Sequence, residues 1–82
     1  MGYTVYILRT DKNTLYTGIA KHLEQRLKVH RSGLGSKYMR SFSSFELVYK
    51  EDCESLSLAL KRECEIKQLS KAKKERLILS CS

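Results

Sequence analysis

Two β-branched and aromatic runs, Thr4-Val5-Tyr6-Ile7-Leu8 and Leu15-Tyr16-Thr17-Gly18-Ile19, flank the polar stretch Asp11-Lys12-Asn13-Thr14. Such side chains pack well on a pleated surface, and a polar stretch between them turns the chain. The N-terminal part therefore predicts an antiparallel hairpin with a loop of about four or five residues. Loop length decides which side chains meet. A four-residue loop pairs Tyr6 with Ile19 and sends Tyr6 and Tyr16 to opposite faces; a five-residue loop, or one bulge, brings both to the same face. The sequence admits either.

Beyond the hairpin the apolar period changes. Leu23 and Leu27 share one face of a helix predicted over residues 21–32. Ser32-Gly33-Leu34-Gly35 stops it, with Gly33 as a left-handed cap, and residues 36–40 form one further turn. Ser41-Phe42-Ser43-Ser44 is a loop and Phe45-Glu46-Leu47-Val48-Tyr49 a third strand. Ser55 caps a second long helix running to about Leu69, and Ser70 caps a short third one over residues 71–79. The order β-β-α-β-α-α predicts an α+β fold, a small three-stranded antiparallel sheet flanked by helices. The 82 residues make one domain, 1–82. A chain of this size buries only about 60% of its unfolded surface, so its core is small.

The net charge is +7. Residues 1–40 carry eight Lys/Arg against two acids, residues 41–60 one against four, and residues 61–82 seven against three. Basic ends attract polyanions through counterion release, and otherwise they keep a small protein soluble. No apolar run approaches the ~18 residues of a membrane span, and no signal segment or basic amphipathic helix with a bulky aromatic face is evident. The expected compartment is the cytoplasm. Cys53, Cys64 and Cys81 share no metal-like spacing and with His22 and His30 form no zinc pattern, so incidental thiols in a reducing compartment are expected.

One acid falls among the apolar positions of the second helix. With Leu56 at 0°, the helical period puts Ala59 near about 300°, Leu60 near about 40°, Cys64 near about 80° and Ile66 near about 280°. Glu63 falls near about 340°, while Glu54, Lys61, Arg62 and Glu65 lie at about 140–240°. A carboxylate aimed at the sheet must pair or bind a cation, because desolvating it alone costs several kcal/mol. Metal ligation at Glu63 and an ion pair with Arg26 or Lys67 are the two outcomes. The first helix repeats the pattern: with Leu23 at 0°, Arg26 lies near about 300° and His30 near about 340°. Arginine's planar fork suits a phosphate, and a histidine there holds a phosphate oxygen, moves a proton, or is a satisfied core residue.

Tyr6 and Tyr16 are ordinary strand residues, and a tyrosine acts as a general base only where cations lower its pKa. Gly18 leaves room beside Tyr16 for a backbone or a phosphate, or marks a bulge. Ser36-Lys37-Tyr38-Met39-Arg40 interleaves cations with an aromatic, which binds a phosphate, stacks on a base, or is a solvated loop.

Taken together these residues resemble the GIY-YIG nuclease superfamily. Thr4-Val5-Tyr6 stands where the first motif would be and Tyr16-Thr17-Gly18 where the second would be. Arg26 follows ten residues after Tyr16, His30 one helical turn later, and Glu63 lies in Leu60-Lys61-Arg62-Glu63-Cys64-Glu65-Ile66-Lys67, similar to the family's helix carrying the metal-binding acid. Residues 32–38 and the Leu69-Ser70 ending resemble the small stand-alone members. The first motif has Thr4 in place of its glycine, and Thr17 replaces an apolar residue in the second. Ile19 stands where some relatives place a lysine that helps activate the tyrosine. His22 stands near the helix start, where small relatives often show an acid.

The resemblance implies a metal-dependent endonuclease hydrolysing DNA phosphodiester bonds, structure-selective or weakly sequence-selective, since no further DNA-binding domain is present. It implies one Mg²⁺ (or Mn²⁺) ion on Glu63, Tyr6 as the base, Tyr16 positioning phosphate or water (the two roles are exchangeable), Arg26 on the charged phosphoryl group and His30 in support. Gly18, Lys21, Lys37, Tyr38 and Arg40 are assigned to the nucleic acid, RNA being a second candidate beside DNA. A partner protein or a homodimer would let so small a nuclease cut both strands. The alternatives are a non-catalytic nucleic-acid-binding module on the same fold, and a protein-interaction domain in which Arg26 and Glu63 form a buried pair.

Overall fold

A computed structural model of the protein describes residues 2–31 and 44–80. The elements are β1 (Tyr3–Thr10), β2 (Leu15–Ala20), α1 (Leu23–Arg31), β3 (Phe45–Cys53), α2 (Leu56–Lys67) and α3 (Lys71–Ser80). They follow the expected order, in a three-stranded antiparallel sheet arranged β2-β1-β3. The expected Gly33 cap, the turn over residues 36–40, Cys81, and with them Lys37, Tyr38 and Arg40 lie outside the described residues.

Arg9 pairs with Leu15, so the hairpin loop spans residues 10–14, the five-residue alternative. Tyr6 then stands opposite Gly18 and Leu8 opposite Tyr16, which brings both tyrosines to one face. The loop closes through the Thr10 hydroxyl, which accepts from the Lys12 and Thr14 amides at 3.3 and 3.2 Å. Asn13 takes the left-handed conformation (φ 61°) that asparagine tolerates in turns.

Central β1 is covered on both faces, so Val5, Tyr6, Ile7 and Leu8 are all buried and no alternation survives. Val5 and Ile7 pack with Tyr49, Ala59 and Ile66 beneath α2, with Leu77 and Ile78 of α3 at the margin. Tyr6 and Leu8 pack with Ala20 and Leu27 beneath α1. Helix α3 is tied to the hairpin: Arg9 donates to both Glu75 oxygens at 2.7 and 2.6 Å, and Lys71 Nζ donates to the Asn13 carbonyl at 2.6 Å.

Strand β3 continues four residues past the predicted Tyr49, through Lys50, Glu51 and Asp52 to Cys53. An edge strand tolerates charges that a central strand would not, so pairing with β1 outlasts the apolar pattern. A bulge between the Ile7–Tyr49 and Leu8–Leu47 pairs leaves Val48 as the extra residue. The Ser55 hydroxyl accepts from the Leu58 amide at 3.2 Å and Ser70 from the Lys73 amide at 3.3 Å, so both predicted serine caps form. Helix α1 starts two residues later than expected, at Leu23, and α2 ends at Lys67 rather than Leu69.

The buried stripe of α2 differs from the expected one. Ala59 and Ile66 are fully buried, whereas Leu56 and Leu60 are 45% and 51% exposed and Cys64 is exposed. The stripe is therefore centred about 50° from Glu63 on the helical wheel, and Glu63 lies at its border. The cause is an open groove that Leu56 and Leu60 line without being covered.

Candidate active site

The hairpin, the start of α1 and one side of α2 enclose an open groove of about 400 Å³. Tyr6, Tyr16 and Gly18 reach it from the strands, Lys21 from the β2–α1 connection, Arg26 from α1 and Glu63 from α2. Tyr3, Ile19, Ala20, Leu56 and Leu60 complete its walls. Parts separated by nearly sixty residues of chain thus meet on one surface.

Tyr6 arrives because Gly18 is opposite it. A β-carbon on Gly18 would stand 2.7 Å from the Tyr6 hydroxyl oxygen and 3.3 Å from a Tyr16 ring carbon. The room expected beside Tyr16 for a backbone or a phosphate is thus occupied by the Tyr6 phenol. Behind the two tyrosines lies His30, 6% exposed and outside the groove lining. Its Nε2 shares a 3.3 Å hydrogen bond with the Tyr6 hydroxyl, the imidazole tautomer setting the donor. Its ring meets those of Tyr6, Tyr16 and Phe45 edge-on, with centroids 6.5, 5.9 and 6.0 Å apart. His30 Nδ1 is buried with no partner among the described residues. The geometry places His30 behind Tyr6, hydrogen-bonded to it and outside the groove lining.

Burial, with the neighbouring Tyr16 and Glu63, pushes the Tyr6 phenol up to about 12 against the opposing pull of Arg26. Tyr6 is therefore a neutral phenol at ordinary pH. Burial, and then Arg26, lower the proton affinity of His30 below its ordinary 6.5, so it is a neutral imidazole. Arg26 is exposed and makes no ion pair among the described residues, so of the two ion-pair partners open to Glu63 it is not the one used. Glu63, 20% exposed, is paired instead with Lys67, whose Nζ lies 3.3 Å from Oε2.

Glu63 is the one acid lining the groove, and no cluster of three or more His, Cys, Asp or Glu residues exists among the described residues. That donor set does not suit zinc, which takes three or four protein ligands. It fits Mg²⁺, which keeps several waters and takes one or two carboxylates plus substrate phosphate oxygens. Cys53, whose thiol burial pushes up, and Cys64 are free and lie outside the groove.

The sequence carried no sign that Tyr3, Leu56 and Leu60 would line the groove. Apolar periodicity reports which residues avoid water on average and does not separate a covered leucine from one on an open wall.

A profile described as the GIY-YIG catalytic domain matches residues 2–76. A UPF0213 protein of Natronomonas pharaonis is 49% identical over 74 residues, covering 90% of this chain and 87% of its own. The UPF0213 protein YhbQ of Escherichia coli K12 is 43% identical over 74 residues, covering 90% and 74%. The solution NMR structure of a UPF0213 protein from Bacillus halodurans superposes with a TM-score of 0.62 at 40% identity, over 95% of this chain and 83% of that one. No described helix is long and apolar enough to cross a membrane.

Proposed function

The chain belongs to the GIY-YIG family, a nuclease-type domain family, and we propose that it is a metal-dependent endonuclease hydrolysing phosphodiester bonds in DNA, selecting structure more than sequence. The observation that carries this reading is the meeting of Tyr6, Tyr16, Arg26 and Glu63 on one open groove, with Lys21 beside them. A binding module needs cations there and gains nothing from an acid facing an anionic ligand.

Arg26 holds the scissile phosphate, its fork donating to two oxygens, and Lys21 holds a neighbouring phosphate. Glu63 would hold a divalent ion, which would supply Lewis-acid polarisation of the phosphoryl group. Tyr16 positions the phosphate or the attacking water. Tyr6 starts as a neutral phenol hydrogen-bonded to His30, so a proton taken from water at Tyr6 passes onward as the Tyr6 proton moves to His30 Nε2. Phosphate on Arg26 offsets the charge that, after burial, depresses His30, which favours that transfer once substrate is bound.

The test is cleavage of labelled single-stranded, duplex and branched DNA, and of RNA, with Mg²⁺ or Mn²⁺ beside EDTA. Glu63→Ala and Tyr6→Phe proteins serve as controls. Metal-dependent cutting absent from both variants is expected. Cutting that survives Glu63→Ala sinks the reading, and a folded wild type that binds DNA without cutting it favours the binding module.

A further inference from the structure

We propose that Lys67 is the resident counter-ion of Glu63, a cation that a divalent metal must displace to reach the carboxylate. The inference rests on the reading of Glu63 as the metal-holding acid.

Lys67 stands one helical turn after Glu63, and the acid precedes the base, the favourable order on a helix. The two partners differ in setting. The Glu63 side chain is 20% exposed and held in the groove wall, whereas that of Lys67 is 55% exposed on a flexible stem. Arg26, which faces the groove from α1, makes no ion pair with Glu63. The carboxylate therefore stays in place while the ammonium is free to leave. Two costs follow for an incoming dication: the existing pair must open, and any ammonium remaining nearby repels the metal. An exposed pair at this spacing shifts an equilibrium by about twofold, and the repulsion adds to that. Lys67 thus sets how much metal the protein needs before Glu63 is loaded.

The experiment is Mn²⁺ titration of the metal-free protein without nucleic acid, read by the electron paramagnetic resonance signal of free Mn²⁺. Wild type, Lys67→Met, Lys67→Arg and Glu63→Gln are compared, each checked for folding by circular dichroism. Lys67→Met is expected to tighten Mn²⁺ binding by about threefold or more, Lys67→Arg to stay near wild type, and Glu63→Gln to lose the site. Binding lost in Glu63→Gln but equal or weaker in Lys67→Met overturns the role of Lys67 and leaves the metal reading standing. Binding unchanged in Glu63→Gln, or absent from wild type and Lys67→Met alike, overturns both.

Discussion

The Tyr6 phenol lies in the space that Gly18 leaves: a β-carbon there would be 2.7 Å from its oxygen and 2.8 Å from Cζ. The two residues are cross-strand partners, so the ring of one lies over the backbone of the other. Gly18→Ala should therefore push Tyr6 out of the groove and off His30. The expected result is a fall in cleavage of at least about tenfold, the order of one misplaced catalytic group, while the protein stays folded. Single-turnover cleavage with a parallel thermal melt checks this. Activity near wild type in Gly18→Ala would show that Tyr6 need not sit where it does.

His30 should make stability depend on pH. Its folded pKa lies below the ordinary 6.5, chiefly through burial and then through Arg26, so the unfolded chain takes up the proton first as pH falls. Its contribution is complete above 6.5 and is lost as pH drops from there to the folded value. Urea denaturation between pH 7.5 and 5 should show the decline, and His30→Phe should flatten it. An equal slope in that variant would assign the effect to other groups.

Thr17 carries a local conflict. It is 5% exposed, and its hydroxyl finds no partner among the described residues. Thr17→Val removes the orphaned hydroxyl while keeping the shape, and should stabilise the fold by about 1 kcal/mol. Chemical denaturation measures it, and a destabilised variant would mean the hydroxyl is satisfied in solution.

Ile66 is fully buried between α2 and the sheet. Truncating it to alanine should cost about 2–5 kcal/mol through lost burial and the cavity left behind. In so small a domain that is a large share of the total stability, so a much lower melting temperature is expected. A loss under about 1 kcal/mol would mean that the helix collapses onto the void.

Arg62 precedes Glu63 and donates through Nε to Glu51 Oε2 at 2.9 Å, while the Tyr49 hydroxyl donates to the other Glu51 oxygen at 2.8 Å. This link joins α2 to β3 and fixes the helix's rotation. Arg62→Met should cost at most about 1 kcal/mol of stability yet lower kcat through Glu63, with KM for DNA little changed. An unchanged kcat would confine the pair to stability.

Much of this arrangement was legible in the residues. Strand-forming runs around a polar turn and serines ahead of helical periods specify elements through local physics, and among the described residues those strands and helices formed. The ordered set Tyr6, Tyr16, Arg26, Glu63 pointed to the family that the match over residues 2–76 shows. The charged second half of β3 was hidden because edge pairing uses backbone groups, which every residue carries.

Tertiary structure decided what depends on register, rotation and proximity. Whether Tyr6 and Tyr16 share a face hung on one residue of loop length. Lys67 is one turn from Glu63 on the same helix, but whether Glu63 also reaches Arg26 hung on how α2 packs against the rest of the chain, and that packing leaves Leu56 and Leu60 on an open wall. Whether His30 lines the groove hung on its depth behind Tyr6. Local periodicity specifies which side chains share a stripe; only packing against the rest of the chain determines what that stripe meets.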